Sequence, residues 1–190
     1  MRLFVAVNLS EPLRRPLAEA QAHLQASAAD VKWTDPAGFH FTLKFLGEVP
    51  APRLQEMIAA AAGALAGGER FTLGLRGVGG FPTARSPRVV WVGVSQGEPE
   101  MAALAGALEA AFAPLGFAPE GRPFSAHLTL GRVRSPQGRQ ELAARMAALV
   151  DRDFGSMPVE QVHLMESRLS PRGASYHLVA AFPLAERQER

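Results

Sequence analysis

The 190 residues suit one compact domain or two small lobes sharing a cleft, and a hydrophobic share of 47% is enough to bury a core. The absence of cysteine excludes disulfides, thiolate nucleophiles and cysteine metal sites, and a formal net charge of +2 excludes a bulk polyelectrolyte binder. No apolar run reaches the roughly 18 residues of a membrane span, and the opening Met1–Val7 lacks the h-region and cleavage site of a secretory signal. The expectation is therefore a soluble, cytoplasmic protein with no membrane partner.

In chain order, alternating apolar residues predict strands over Leu3–Asn8, Phe39–Phe45, Phe71–Val78, Val89–Val94, His127–Val133, Val159–Met165 and Tyr176–Phe182. Alanine-rich segments with helical periodicity lie between them, over Pro12–Ser27, Pro52–Leu65, Glu100–Phe112 and Gln137–Val150. Pro12, Pro52 and Pro136 stand near helix starts, where the missing N–H costs nothing. Gly116 and Gly155 follow helical stretches and read as stop signals. Gly77, Gly79 and Gly80 make a glycine-rich turn, but no lysine–serine pair or helix start follows, which argues against a phosphate-binding P-loop.

Two short segments repeat a pattern: His40-Phe41-Thr42-Leu43-Lys44-Phe45 and His127-Leu128-Thr129-Leu130-Gly131-Arg132. Side chains alternate across a strand, so His40 shares a face with Thr42 and Lys44, and His127 shares one with Thr129. Phe41, Leu43, Phe45, Leu128 and Leu130 are then expected in a core. The two histidines are 87 residues apart. The same shift carries Val5 onto Val92, Arg14 onto Met101, Leu54 onto Glu141 and Val92 onto Val179, strand onto strand and helix onto helix. The chain reads as a duplicated strand–helix–strand–helix–strand unit whose two lobes face each other across one cleft.

A single His-x-Thr carries little weight; two copies at equivalent points of a repeat carry much more. Imidazole titrates at ~6.5, so a facing pair can hold one neutral and one protonated ring. One ring then takes a proton from water while the other gives one to a leaving oxygen, which suits phosphodiester cleavage. Thr42 and Thr129 can donate to phosphoryl oxygens, and an arginine can stabilise the charge that builds up. Arg132 is the candidate, although period two sets it opposite His127; Gly131 would have to let the backbone turn. The motifs are nearly symmetric, so either histidine can take either role.

These motifs resemble the 2H phosphoesterase superfamily, in particular its bacterial and archaeal RNA 2′,3′-cyclic phosphodiesterases, first described as 2′-5′ RNA ligases. The likeness runs from Arg2-Leu3-Phe4-Val5-Ala6-Val7 through His40–Glu48, Gly80-Phe81-Pro82, Pro87–Gly93, Arg122-Pro123-Phe124 and His127–Arg132 to Ser167–Ser170, Gly173 and Tyr176. Ser125-Ala126 stands where the family often has a proline beside the histidine. The resemblance implies an α+β, bilobal duplicated fold over residues 1–190, a single domain of two pseudo-symmetric lobes. Two antiparallel sheets would line a central cleft with helices outside. It implies His40 as proton donor, His127 as proton acceptor, and Thr42, Thr129 and Arg132 on the phosphate. It also implies metal-independent opening of 2′,3′-cyclic ends of RNA to 2′-phosphomonoesters, with no cofactor. RNA with such ends, or cyclic nucleotides, would be the substrate, and the lobes look able to stand as a monomer.

Other side chains have a bland reading beside a functional one. Phe45, Trp33 and Phe81 could stack on a base, although Phe45 falls on the apolar face; Lys44, Arg85 and Arg88 could meet the RNA backbone or simply face water. His23, His163 and His177 lack the Thr partner. Three rival functions remain: a 2′-5′ RNA ligase running the same chemistry backwards, a non-catalytic RNA-end binding module, and a histidine metal site without an obvious third ligand.

Overall fold

A computed structural model describes residues 1–187. Among them the chain forms nine strands and four α-helices. The first half holds β1 (Arg2–Asn8), α1 (Glu11–Gln25), β2 (Val31–Trp33), β3 (His40–Glu48), α2 (Leu54–Leu65) and β4 (Phe71–Pro82). It is followed by β5 (Pro87–Gln96), α3 (Glu98–Phe112), β6 (His127–Val133), α4 (Arg139–Ala147), β7 (Asp153–Val159), β8 (Gln161–Ser170) and β9 (Gly173–Pro183). No helix among the described residues is long and apolar enough to cross a membrane.

Hydrogen bonding gathers the strands into two antiparallel sheets, one ordered β3-β1-β8-β9 and the other β2-β6-β5-β4-β7. Period-two alternation gives each sheet one apolar face. On β1, Leu3, Val5 and Val7 enter the main core, while Phe4 and Ala6 point the other way into a small separate cluster with Met165. α2 and α3 pack on each other and cover the first sheet with Met57, Ala61, Leu65, Met101, Leu104 and Leu108. α1 and α4 cover the second with Leu13, Leu17, Leu24, Leu142 and Met146. Fully buried leucines such as Leu17 and Leu128 each contribute about 2 kcal/mol. With helices outside, the remaining sheet faces are free to form a cleft.

The expected duplication is present, and an exchange is added to it. A shift of 87 residues carries α1 onto α3 residue for residue, β1 onto β5, β3 onto β6 and β5 onto β9, with overlap for α2 on α4 and β4 on β8. Yet β4 pairs in the sheet that holds β5 and β6, and β8 pairs beside β1. Each sheet therefore draws strands from both halves of the sequence. β2 and β7 have no counterpart under the shift, and both lie at sheet edges. The strand expected over Val159–Met165 is in fact β8, preceded by the separate edge strand β7, which contains Pro158, a residue tolerated at edges. Gly155 belongs to β7, at φ 98°, and closes no helix.

Candidate active site

The two motif strands share one irregularity, and it determines what faces the cleft. In β3, Thr42 pairs with Ala6 and Lys44 with Val5, so Leu43 is left without a partner. In β6, Thr129 pairs with Trp91 and Gly131 with Val90, so Leu130 is left over. Each is a bulge one residue after the threonine, and a bulge resets the alternation beyond it. Past Leu43, Lys44 turns inward and Phe45 outward; past Leu130, Gly131 turns inward and Arg132 outward.

Polar contacts hold both bulges. The Leu130 carbonyl accepts from Thr34 N–H (2.9 Å) and from Nε2 of buried Gln21 on α1 (3.0 Å). Lys44 Nζ donates to both carboxylate oxygens of Glu109 on α3 (2.9 Å each) and to the Ala118 carbonyl (2.9 Å). All three ammonium protons are thus used. Lys44 is 2% exposed. This corrects the expectation that Lys44 continues the histidine face toward phosphate: strict alternation fails at the bulge. The same slip brings Phe45, expected in the core, to 44% exposure, with the Arg2 guanidinium 5.2 Å over its ring.

His40 and His127 line one cleft of about 370 Å³ together with Thr42, Thr129, Arg132 and Tyr176. Each ring is fixed in the same way. His40 Nδ1 donates to the Gly38 carbonyl at 2.7 Å, and His127 Nδ1 to the Ser125 carbonyl at 3.1 Å. A carbonyl only accepts, so the proton sits on Nδ1 and Nε2 is the nitrogen left for chemistry. The Thr42 hydroxyl donates to His40 Nε2 at 3.1 Å. Ala126 N–H donates to Glu98 Oε1 at 3.2 Å, which holds the segment entering the second motif where proline is absent. Arg132 does face the site, and the bulge at Leu130, rather than a turn at Gly131, brings it there.

The two rings differ in their surroundings. His40 packs on Phe4 (ring centroids 4.8 Å apart) and edge-on to Tyr176 (5.0 Å), and Phe4 and Tyr176 also meet edge-on (5.4 Å). Burial pushes the His40 pKa below the usual histidine value; the bond to Gly38 pulls it part of the way back. His127 is exposed. The contacts of Phe4 and Tyr176 with His40 are long-range, Phe4 from the neighbouring strand β1 and Tyr176 from β9 at the far edge of the sheet, so local alternation does not mark them; the family likeness at Arg2–Val7 and Tyr176 is the signal in the sequence.

The remaining candidates lie elsewhere. Arg88 is exposed at the start of β5, where the pairing with β4 skips it, and Arg85 is exposed in the β4–β5 loop. Trp33 packs partly against the core, and Phe81 is exposed. His163 shares the cleft face of β8 beside Ala6; burial lowers its pKa and its Nδ1 has no partner. His177 is exposed, with Nε2 3.1 Å from the Ser175 hydroxyl. Among the described residues no group of three or more His, Cys, Asp or Glu comes together as a metal-ligand set.

The two halves of the chain have a counterpart among known proteins. The "LigT like Phosphoesterase" family pattern matches residues 7–91 and again residues 92–176. The chain belongs to this family. It is 39% identical over 184 residues to a Methanothermobacter thermautotrophicus protein named RNA 2′,3′-cyclic phosphodiesterase, spanning 97% of this chain and 99% of that one. A protein of the same name from Archaeoglobus fulgidus is 35% identical, over 96% and 99% of the two chains. Among solved LigT-like relatives, a Thermus thermophilus structure superposes with a TM-score of 0.81 at 32% identity, over 99% of this chain and all of the other. Escherichia coli LigT complexed with 3′-AMP superposes with a TM-score of 0.75 at 28% identity, over 96% and 97%.

Proposed function

We propose that this LigT-like phosphoesterase hydrolyses 2′,3′-cyclic phosphate ends of RNA, and free cyclic nucleotides, to 2′-phosphomonoesters. The observation that carries the reading is the pair of cleft histidines, each held through Nδ1 by a carbonyl two residues back, with Arg132 swung in beside them. Relatives that match nearly the whole chain bear the name of this activity. His127 takes a proton from water, the water oxygen attacks phosphorus, the bond to the 3′ oxygen breaks, and His40 gives that oxygen its proton. Thr42, Thr129 and Arg132 hold the phosphoryl oxygens as charge builds up. Burial shifts His40 toward its neutral form. The cyclic phosphate brings a negative charge beside the ring, which favours the protonated form that the donor needs.

The reaction needs no metal or cofactor in this scheme, so chelators leave the rate unchanged. With a free 5′ hydroxyl in place of water, the same groups would form a 2′-5′ bond as the 3′ oxygen leaves with a proton, but water at bulk concentration drives hydrolysis. The reading treats residues 1–190 as one domain of two pseudo-symmetric lobes, a cytoplasmic monomer; light scattering checks the last point. The deciding experiment is incubation with 2′,3′-cyclic mononucleotides and with a short cyclic-ended RNA, with the product phosphate located. Hydrolysis to 2′-phosphate is expected. A 3′-phosphate product, or binding without turnover, would overturn it.

A further inference from the structure

We propose that Trp91 is a stacking platform for the nucleobase of the cyclic-ended ribonucleotide, an inference that rests on the hydrolytic reading above. Directly paired residues on neighbouring antiparallel strands share a face. Trp91 pairs with Thr129, and Gly93 pairs with His127. Trp91 therefore stands on the wall that carries the second motif, one strand and about 5 Å from the threonine. It is half-buried, and it is not part of the buried cluster that includes its neighbours Val90 and Val92.

The ring's posture comes from two glycines. On the other side, Trp91 pairs with Gly79 of β4. A Cβ at Gly79 would lie 2.4 Å from Cη2 and Cζ2 of the indole, and one at Gly93 would lie 3.3 Å from Cζ3. No real Cβ fits at the first position, so the absence of a side chain there is what lets the indole lie flat along the sheet. Glycine inside a strand marks a place where another group comes close; here that group is the ring itself, and its second face is turned away from the sheet, beside the cleft residue Thr129. An indole laid over bare sheet, outside the core, is an arrangement for receiving a flat partner.

The charges around it suit a nucleotide. Lys32 pairs with Arg132 in the row beyond Trp91, and Arg76 pairs with Gly93 in the row before. None of the three makes an ion pair among the described residues. Cations at both ends of an aromatic surface are the pattern that single-stranded RNA meets: backbone phosphates outside, bases on the ring. Every base has a π-face, so the platform favours nucleotides over bare cyclic phosphates without choosing among bases.

The test compares a 2′,3′-cyclic mononucleotide with ribose 2′,3′-cyclic phosphate, which lacks the base. Trp91→Leu keeps the apolar bulk and removes the ring. It should raise KM for the nucleotide about 5- to 100-fold with little change in kcat, and leave the kinetics of the baseless substrate as they were. Trp91→Tyr should restore most of the nucleotide KM. The only other tryptophan is Trp33. In a Trp33→Phe background the remaining fluorescence reports Trp91 alone and should be quenched by a nucleoside 2′-phosphate. Equal losses on both substrates, no change on either, or fluorescence unmoved at saturation would overturn the platform. Should the parent protein open neither substrate, the hydrolytic reading fails, and the quenching titration still decides the stacking.

Discussion

β3 and β6 open on the same His-x-Thr-Leu and bulge at the same leucine, yet the side chains that follow have parted. After its bulge β3 turns a buried lysine inward and a phenylalanine outward; β6 turns a glycine inward and an arginine outward. The histidines have parted too, His40 beneath Phe4 and Tyr176, His127 exposed. Duplication preserved the backbone device that aims the histidine and threonine, and it left the position two residues beyond the bulge free to specialise. One wall turns its cation, Arg132, toward the cleft; the other uses Lys44 to anchor the strand from below.

The largest effect should fall on what the walls share. His40→Ala and His127→Ala should each lower kcat by about 10³-fold while far-UV circular dichroism stays native. A variant that keeps full turnover would break the pairing of the two strands in one mechanism. Next comes the buried anchor found only in β3. Glu109→Ala leaves Lys44 with the Ala118 carbonyl alone and should cost about 3 kcal/mol in denaturant unfolding. Adding Lys44→Met should return most of that loss. Smaller again is the divergent position itself. Arg132→Ala should reduce kcat about 100-fold, while Phe45→Ala, at the equivalent place, should stay within about 3-fold. A similar loss at both would erase the distinction between the walls.

The subtlest effect concerns pH. Burial holds the His40 pKa below its usual value, so removing cover by Tyr176→Ala should raise it. With His40 as donor, activity is lost as pH rises through that pKa. The alkaline limb of the kcat/KM profile should then move to higher pH. Movement of the acidic limb instead would make His40 the acceptor and exchange the roles of the two strands.

Much of this could be read from the residues alone, for physical reasons that also mark where reading stops. The histidine–threonine faces follow from period two, and the four helices follow from apolar spacing with proline near their starts. Strict period two puts Lys44, Phe45 and Arg132 on the wrong faces because each lies beyond a bulge, although Arg132 is still the arginine expected at the site; the carbonyl and side-chain contacts that hold a bulge come from Gln21, Thr34 and Glu109, far away in the chain. β2 is only Val31–Trp33, too short for a pattern. The exchange of β4 and β8 between sheets is a matter of partner choice, to which local alternation is blind. Nothing in the alternation of Val89–Val94 marks Trp91, because the posture of its ring depends on Gly79 across the sheet.

The exchange of strands also bears on motion. From β1 to β9 the chain passes from one sheet to the other four times: into β2, back to β3, out again to β4, and home at β8. Two lobes joined by one linker open like a hinge. Two walls laced together at four points behave more like the jaws of a fixed gauge, whose gap is set when the protein folds. The spacing between the histidines then belongs to the scaffold and not to the ligand, and a substrate arrives at an opening already cut to size.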